Sequence, residues 1–350
     1  MKKTEFLCIN GLKRKLGQFS LGPISLTLKR GEYFVLLGPT GCGKTSFLSH
    51  LAGLYGTDRE VIFLDDKDIG RLPSNKRRIG YVMQTGNLFP HLSVKANIAF
   101  GLKYLKMTRG EYSQRLKRFL DLFGLTALAD RSCLTLSGGE TKKTAIARSL
   151  IIEPRLLLLD EPLGMLDHNG RKEMLEVLKI IHHELHTTTI HVTHDRHETW
   201  MTGQSCGVMN QGKIIQTGSV SELFRQPVDL FTAEFFGGMN IFPASFQGKK
   251  AKLSWIDLDL AQSPEKKIGW VLIRPENIRV VNPLHNHKIV GKIAGVRDFG
   301  EYIEIEVQID EKNRLFLHTS VDSAHCFSIG NTLHLDWARD SIHAFSQGKI

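Results

Sequence analysis

The sequence predicts an α/β domain with an inserted helical subdomain, followed by a small all-β domain. Three observations lead to this fold. A short apolar run at residues 33–37 precedes a glycine-rich turn and then apolar residues at helical spacing. Four consecutive leucines at residues 156–159 are typical of a strand buried on both faces of a parallel sheet. Beyond residue 238, short alternating runs between Gly and Asn turns indicate a small β-barrel.

Length and composition fit a division into residues 1–238 and 239–350. A chain of 350 residues is long enough for two domains, and 41% hydrophobic residues is ordinary for globular proteins. No apolar run reaches the roughly 20 residues of a membrane span, and the apolar run near the start is too short for a signal peptide. Five scattered cysteines without paired spacing fit a reducing cytosol and no structural zinc.

The charge balance is basic, with a net charge of +10. Such a balance is compatible with nucleic acid, an anionic membrane face or anionic ligands. No long Lys/Arg run with interleaved aromatic residues is present, so we expect no nucleic-acid partner.

The glycine-rich turn follows the pattern G-x4-G-K-[ST]. Its glycines let backbone N–H groups approach a phosphate, and the N-terminus of the next helix adds partial positive charge. Lys44 can reach the outer phosphates, and the hydroxyl of Thr45 can bind Mg²⁺. The strand before and the helix after make a chance match the weaker alternative, so we predict a nucleoside triphosphate site. Its members are Gly38, Pro39, Thr40, Gly41, Cys42, Gly43, Lys44, Thr45 and Ser46.

Two other side chains are singled out near this loop. Phe19 is the candidate for stacking on adenine, with Phe6 and Tyr33 as second choices, although a core role for Phe19 is an equal alternative. Cys42 lies at a helix N-terminus beside Lys44, which should favour its thiolate. We therefore expect alkylation of Cys42 to block ATP hydrolysis and bound ATP to protect it.

Polar side chains follow three further predicted strands. Gln84 ends the strand at 79–83, Asp160 and Glu161 follow the leucine strand, and His194 ends a strand near residue 192. In open α/β sheets, ligands bind at the carboxyl ends of the strands. Asp160 can hold Mg²⁺, Glu161 can polarise water and His194 can donate to a terminal phosphate. The alternatives are a surface loop for Gln84 and a solvated turn for the acids.

Between these strands, residues of about 88–135 form a predicted helical subdomain. Immediately after it, Ser137 and Glu140 have the spacing of a capping box. A capping box does not explain Gly138 and Gly139, which cost about 1 kcal/mol each in helix propensity. Glycines there expose backbone N–H groups at the positive helix end, so we predict a second helix terminus that faces phosphate. Asp167, near the start of a later helix, could be only a cap.

Taken in order, these motifs resemble the ABC-transporter ATPases over about residues 1–236. The resemblance rests on the phosphate loop, Gln84, the LSGGE run at 136–140, the LLLLDEP run at 156–162, Asp167 and His194. The run from Ile273 to Ile278, IRPENI, looks like the Arg-Pro-Glu strand of the OB-like TOBE domains appended to importer ATPases for anions, sugars, polyamines and iron. The resemblance thus implies a P-loop ATPase core with a TOBE domain.

The resemblance also implies a role for each site residue. Lys44 would bind phosphates; Thr45, Gln84 and Asp160 would serve Mg²⁺ and water; Glu161 would be the general base. His194 would sense the γ-phosphate. The residues implied at the ATP of a second subunit are Ser137, Gly138, Gly139, Glu140 and Asp167.

The partners implied are a second copy of the chain, a transmembrane permease and, through it, a solute-binding protein. Gln84 and the helical subdomain would couple to the permease at the cytoplasmic face of the membrane. Two positions depart from the family pattern: Gly164 replaces the usual serine, and Thr141 replaces a common glutamine. Residues 16–21 resemble the start of molybdate, tungstate or sulfate importer ATPases, so we expect an oxyanion cargo.

The sequence motifs leave three other functions to be weighed. Sugar, polyamine or iron import would use the same motifs. A soluble ABC ATPase acting on nucleic acid or the ribosome usually carries two ATPase cores or a long coiled-coil insert, and this chain has one core and a short insert. A binding-only regulator conflicts with the intact Lys44, Asp160, Glu161 and His194.

Overall fold

The computed structural model describes residues 5–283 and 288–346. The chain divides into two compact units, Met1–Val220 and Ser221–Ile350. The second unit includes residues 221–238, which sequence analysis assigned to the first domain. Within that unit, the Arg274 guanidinium lies over the Phe224 ring and donates a 3.0 Å hydrogen bond to the Phe236 carbonyl. These contacts explain why this helical stretch groups with the β-rich part of the chain, while the predicted domain boundary at 238 stays a prediction.

The first unit alternates strands and helices. Its strands are β1 (Glu5–Leu16), β2 (Phe19–Lys29), β3 (Tyr33–Leu37), β4 (Ile62–Leu64), β5 (Lys67–Asp68), β6 (Ile79–Val82), β7 (Leu156–Asp160), β8 (Thr188–Thr193), β9 (Ser205–Asn210) and β10 (Lys213–Gly218). Its helices are α1 (Lys44–Ala52), α2 (Val94–Ile98), α3 (Arg109–Leu122), α4 (Gly138–Leu150), α5 (His168–Leu185) and α6 (Arg196–Thr202).

A six-stranded sheet in the order β10-β9-β3-β8-β7-β6 forms the centre of this unit. The strands β9, β3, β8, β7 and β6 run parallel to their neighbours, and β10 adds an antiparallel edge. Because parallel strands end at the same edge, the segments that follow β3, β6, β7 and β8 meet there. A second, antiparallel sheet has the order β2-β1-β4-β5.

Burial on both faces explains the apolar strands. Every residue of β3, β7 and β8 is buried. One core cluster packs β1, β2 and α1 against the central sheet, and a second packs α2, α4 and α5 against it. Each fully buried leucine of β7 contributes about 1.5–3 kcal/mol through the hydrophobic effect.

The predicted helical subdomain is confirmed. It consists of α2, a 3₁₀ turn at Ala99–Tyr104, α3 and two further 3₁₀ turns. Ser93 caps α2, accepting a hydrogen bond from Ala96 N. Thr108 and Glu111 form a capping box at α3. No strand interrupts this stretch in the structure, which describes all of it.

Arg77 holds the C-terminal end of α1 in place. Its buried guanidinium donates to the carbonyls of His50, Leu51, Gly70 and Leu72 at 2.7–2.9 Å. We expect Arg77→Met to lower the free energy of unfolding by about 2–4 kcal/mol, because the buried carbonyls lose their donors. Urea denaturation measures this loss, with exposed Lys76→Met as the control. Equal unfolding midpoints for the two variants would contradict the prediction.

The second unit begins one residue into a short helix, continues with a second short helix and is otherwise β-rich. The helices are α7 (Val220–Arg225) and α8 (Leu230–Phe235). The strands are β11 (Asn240–Gln247), β12 (Lys250–Lys252), β13 (Asp257–Asp259), β14 (Ile268–Ile273), β15 (Arg279–Val281), β16 (Ile289–Asp298), β17 (Ile303–Gln308), β18 (Arg314–Thr319), β19 (Thr332–Asp336) and β20 (Ile342–Ser346). They form two five-stranded sheets, β13-β12-β11-β14-β20 and β15-β19-β16-β17-β18, around one shared core. The β-rich character predicted from alternation is confirmed.

Candidate functional site

The glycine-rich loop leads from β3 into α1 and adopts a backbone that glycine makes possible. Gly41 and Gly43 have φ of 82° and 108°, in the left-handed region. A Cβ at Gly38 would lie 2.4 Å from the Met209 carbonyl oxygen, so a side chain is excluded there as well. The Lys44 ammonium donates to the carbonyls of Gly38 (2.8 Å) and Pro39 (3.0 Å). Lys44 thus closes the loop around its own ammonium group.

Asp160, at the end of β7, is held by two hydroxyl groups. Thr45 Oγ1 donates to its Oδ1 at 3.1 Å, and the Tyr81 hydroxyl donates to its Oδ2 at 3.2 Å. Burial raises the pKa of Asp160 above its ordinary value, and the two hydrogen bonds partly offset this. Burial, followed by the charge of Asp160, raises the pKa of Tyr81 to about 12, so the phenol stays a donor at neutral pH.

Glu161 lies one residue further on and joins two other strand ends. The Gln84 side-chain amide donates to its Oε2 at 3.1 Å, and His194 Nδ1 lies 3.3 Å from its Oε1. Glu161 itself has a φ of 45°, the left-handed region that a glutamate rarely adopts. The structure therefore brings together Gln84, Glu161 and His194 as sequence analysis expected, although their roles stay predictions.

A cavity of about 560 Å³ opens beside these groups. Its lining residues are Leu16, Phe19, Thr40, Gly41, Gly43, Lys44, Thr45, Ser46, Gln84 and Glu161. Phe19 packs so closely on the loop that a Cβ at Gly43 would lie 2.7 Å from its Cζ. Phe6 and Tyr33, the second choices for adenine stacking, are buried and do not line this cavity, so those two choices were wrong.

The expectation of a reactive thiolate at Cys42 is wrong. Cys42 is 5% exposed, and its Sγ would lie 2.7 Å from a Cβ at Gly38. Burial raises the pKa of the thiol, and the nearby Lys44 charge offsets this only in part. The sequence pattern located the positive charge correctly but could not reveal how deeply the sulfur is buried.

We therefore expect Cys42 to react slowly with iodoacetamide near neutral pH. The exposed Cys326 is the internal control, because the reagent can reach its sulfur, whereas Cys42 is buried and burial raises its pKa and so disfavours the reacting thiolate. Peptide mass spectrometry should show Cys326 modified at least about tenfold faster than Cys42. Cys42 labelling as fast as that of Cys326 would contradict this expectation.

The oxygen donors beside the loop fit Mg²⁺. Thr45 supplies a hydroxyl, Asp160 a carboxylate and Gln84 an amide oxygen, and Mg²⁺ favours such hard ligands together with substrate phosphates. Over the described residues, no group of three His, Cys, Asp or Glu side chains forms a separate metal site. Thr45 and Asp160 would hold the ion, which when bound supplies positive charge against the phosphate oxygens.

The SGG turn forms a second candidate face, outside this cavity. Ser137 and Glu140 make the predicted capping box at the start of α4, and Ser137 and Gly138 are exposed. Asp167 caps α5, accepting from Gly170 N at 3.0 Å. Neither the SGG turn nor Asp167 lines the cavity beside Lys44. These residues thus cannot complete their own chain's site in this arrangement.

Sequence analysis missed two residues near the site, Tyr81 and Lys142. Tyr81 lies opposite Leu158 in the parallel pairing of β6 with β7, and this pairing places its hydroxyl at Asp160. Lys142 is a buried residue of α4, and its ammonium donates to the Gln84 carbonyl. Neither belongs to a motif, so only the strand and helix packing reveals them.

The chain matches two family models and is similar to several import ATP-binding proteins. A family model described as ABC transporter matches residues 21–164, and one described as TOBE domain matches residues 271–345. The molybdate/tungstate import ATP-binding protein WtpC of Pyrococcus abyssi is 35% identical over 307 residues, covering 87% of this chain and 89% of that protein. The spermidine/putrescine import ATP-binding protein PotA of Haemophilus influenzae is 35% identical over 348 residues, covering 94% and 93%. The Fe(3+) ions import ATP-binding protein FbpC of Escherichia coli O157:H7 is 37% identical over 284 residues, covering 81% and 82%.

Two solved structures each match about three fifths of the chain. CbiO1 from Clostridium perfringens, part of the ABC transporter complex cbiONQ, has a TM-score of 0.58 at 29% identity over 63% of this chain and 91% of its own. The ATP-binding cassette MJ0796, a dimeric post-hydrolysis state bound to ADP and Pi, has a TM-score of 0.54 at 26% identity, covering 61% of this chain and 98% of its own.

Among the described residues, no helix is both long and apolar enough to cross a membrane.

Proposed function

The chain belongs to the family of ABC transporter import ATP-binding proteins, and from this membership we propose how its residues bind and hydrolyse ATP, with which partners and for which cargo. It is an ATPase. One observation carries the proposed mechanism: Gln84, Asp160, Glu161 and His194 converge from three strand ends beside the loop of Lys44.

The residues divide the chemistry among them. The loop N–H groups and the Lys44 ammonium bind the phosphates, and Phe19 with Leu16 forms the apolar wall for the base. Glu161 accepts the proton of the attacking water, and Gln84 and His194 fix the carboxylate by its two oxygens. Because Nδ1 of His194 lies against Glu161, its Nε2 atom is the one that donates a hydrogen bond to the terminal phosphate. Thr45 and Asp160 would hold Mg²⁺, and Tyr81 orients Asp160 through its hydroxyl.

The proposed assembly is a homodimer with two shared ATP sites. Ser137, Gly138 and Gly139 form a helix N-terminus in which Ser137 and Gly138 are exposed and Gly139 is half-buried, and none of the three lines the chain's own cavity. Such a terminus binds anions through free N–H groups and the helix dipole. The ATP of a second copy is the anion we propose for it, in line with the dimeric description of the MJ0796 structure. Asp167, which caps α5, would lie at the same seam.

The wider partners proposed are a transmembrane permease and, through it, a solute-binding protein, which would place this chain at the cytoplasmic face of the membrane. For cargo we propose an oxyanion such as molybdate, tungstate or sulfate. The resemblance at residues 16–21 and the WtpC relative favour it. The PotA and FbpC relatives, at similar identity, make polyamine and iron(III) the alternatives.

Co-purification with the permease is the experiment that tests this function. Tagged chain is isolated from its native membranes, and the complex is reconstituted with its solute-binding protein. We expect Mg²⁺-dependent ATP hydrolysis that molybdate, tungstate or sulfate stimulates more than spermidine or iron(III) does. Stimulation by one of the alternatives would replace the proposed cargo. Recovery of nucleic acid without a permease would reject the import function itself.

A further inference from the structure

Two side chains of helix α4 donate hydrogen bonds to the backbone of residues 84–87, the segment that carries Gln84. The Lys142 ammonium donates to the Gln84 carbonyl, and the Arg148 guanidinium donates to the carbonyls of Gly86 (3.1 Å) and Asn87 (3.0 Å). The segment also lies against the helix, because a Cβ at Gly86 would be in ordinary contact, at 3.6 Å, with the methyl carbons of Thr141 and Ala145. Three of the four backbone carbonyls of residues 84–87 are therefore hydrogen-bonded to one helix by two cationic side chains.

Lys142 is poorly placed for any purely local purpose. It is 5% exposed, although lysine is rarely buried without a partner. Burial lowers its pKa, while the carboxylates of Asp160 and Glu161 act in the opposite direction. A buried ammonium costs stability unless its charge is compensated, and the two acids that act on Lys142 are those of the candidate catalytic site.

The position of Lys142 along α4 indicates how it takes part in the reaction. The N-terminus of the same helix is the SGG turn proposed to face the ATP of a second copy, and Lys142 lies about one turn further along. Gln84, which Lys142 holds by its carbonyl, donates through its side chain to Glu161 at 3.1 Å. One rigid helix thus connects the partner's ATP to the carboxylate that acts on the chain's own ATP.

We propose that Lys142 is a positioning residue: it holds Gln84 against Glu161 from the helix that faces the partner's ATP, and so makes hydrolysis in one site depend on nucleotide in the other. This inference rests on the proposed function, since it needs the SGG turn to face a second nucleotide. Arg148 supports the same segment from further along the helix.

The test is a double-mutant cycle on the full-length protein with Mg-ATP. Lys142→Met is expected to lower kcat about 10- to 100-fold, the range for losing a charged hydrogen bond, with little change in KM. Added to Gln84→Ala, it should cost less than about twofold more, because the two residues act as one unit. The Hill coefficient for ATP should fall towards one. Lys143→Met is the control: Lys143 pairs with Glu173 on α5, and its replacement should leave both values unchanged.

Several outcomes would overturn the inference while leaving the proposed function intact. These are additive losses in the double variant, an unchanged Hill coefficient in Lys142→Met, or a Gln84→Ala variant with normal turnover. If Lys142→Met does not fold, Arg148→Met in the same cycle with Gln84→Ala decides by the same criteria. Wild-type protein without ATP hydrolysis, or active as a strict monomer, would instead reject the proposed function.

Discussion

Replacing Glu161 with glutamine is expected to lower ATP turnover by at least about 10²-fold, the contribution of a positioned general base. Glutamine has nearly the same shape and keeps an oxygen that can face Gln84 or His194, so the pocket should stay folded. It cannot accept the proton of the attacking water at neutral pH. ATP binding should therefore be retained, and a dimer with trapped ATP should accumulate.

Turnover assays and size-exclusion chromatography with Mg-ATP measure both parts of this result. Glu176→Gln is the matched control, since Glu176 is an exposed acid on α5 that pairs with Lys179. The control should hydrolyse ATP normally and show no trapped dimer. Normal turnover in Glu161→Gln would remove Glu161 from its role. Lost turnover without ATP-dependent dimer would leave the base in place and contradict the shared site.

Placing a carboxylate in the SGG turn should have an effect of similar size. Gly139→Asp puts negative charge where the phosphates of the partner's ATP are proposed to dock, and a Cβ there meets nothing within 4 Å. An aspartate in the first turn of a helix favours the helix itself, so folding should be preserved. We expect turnover to fall at least about 10²-fold, as when a donor to transition-state charge is lost.

The chain offers a closely matched control for this substitution. Gly110 occupies the same position after a capping serine or threonine in α3, within a capping box of the same kind. Its Cβ would meet only Thr108 Oγ1 at 3.9 Å. Gly110→Asp should keep full activity, while Gly139→Asp keeps ATP binding as a monomer but no longer dimerises or hydrolyses. Equal activity of the two variants would refute a nucleotide-facing SGG turn.

The site was predictable where local chemistry decides geometry. A buried leucine strand in a parallel sheet must deliver its next residues to the shared edge, which is why Asp160, Glu161, Gln84 and His194 could be placed together from sequence. The capping box of Ser137 and Glu140 is equally local, being set by residues three positions apart.

What escaped prediction depends on contacts that are distant in sequence. Tyr81 reaches Asp160 only because β6 lies beside β7, and Lys142 reaches Gln84 only because α4 packs over that segment. Cys42 was misjudged because charge near a thiol is visible in sequence and burial is not. Likewise, residues 221–238 group with the β-rich unit through a guanidinium whose sequence position gives no sign of its contacts.

The hydrogen bonds from Lys44 to the carbonyls of Gly38 and Pro39 have a consequence for the rate at which the protein binds nucleotide. The loop's own hydrogen bonds shape the cradle, so binding requires no ordering of a loose chain segment and little conformational entropy is lost. An arriving phosphate needs only to replace the carbonyl oxygens of Gly38 and Pro39 as acceptors of hydrogen bonds from the Lys44 ammonium. Competing nucleotides should therefore differ mainly in how long they stay, not in how fast they arrive.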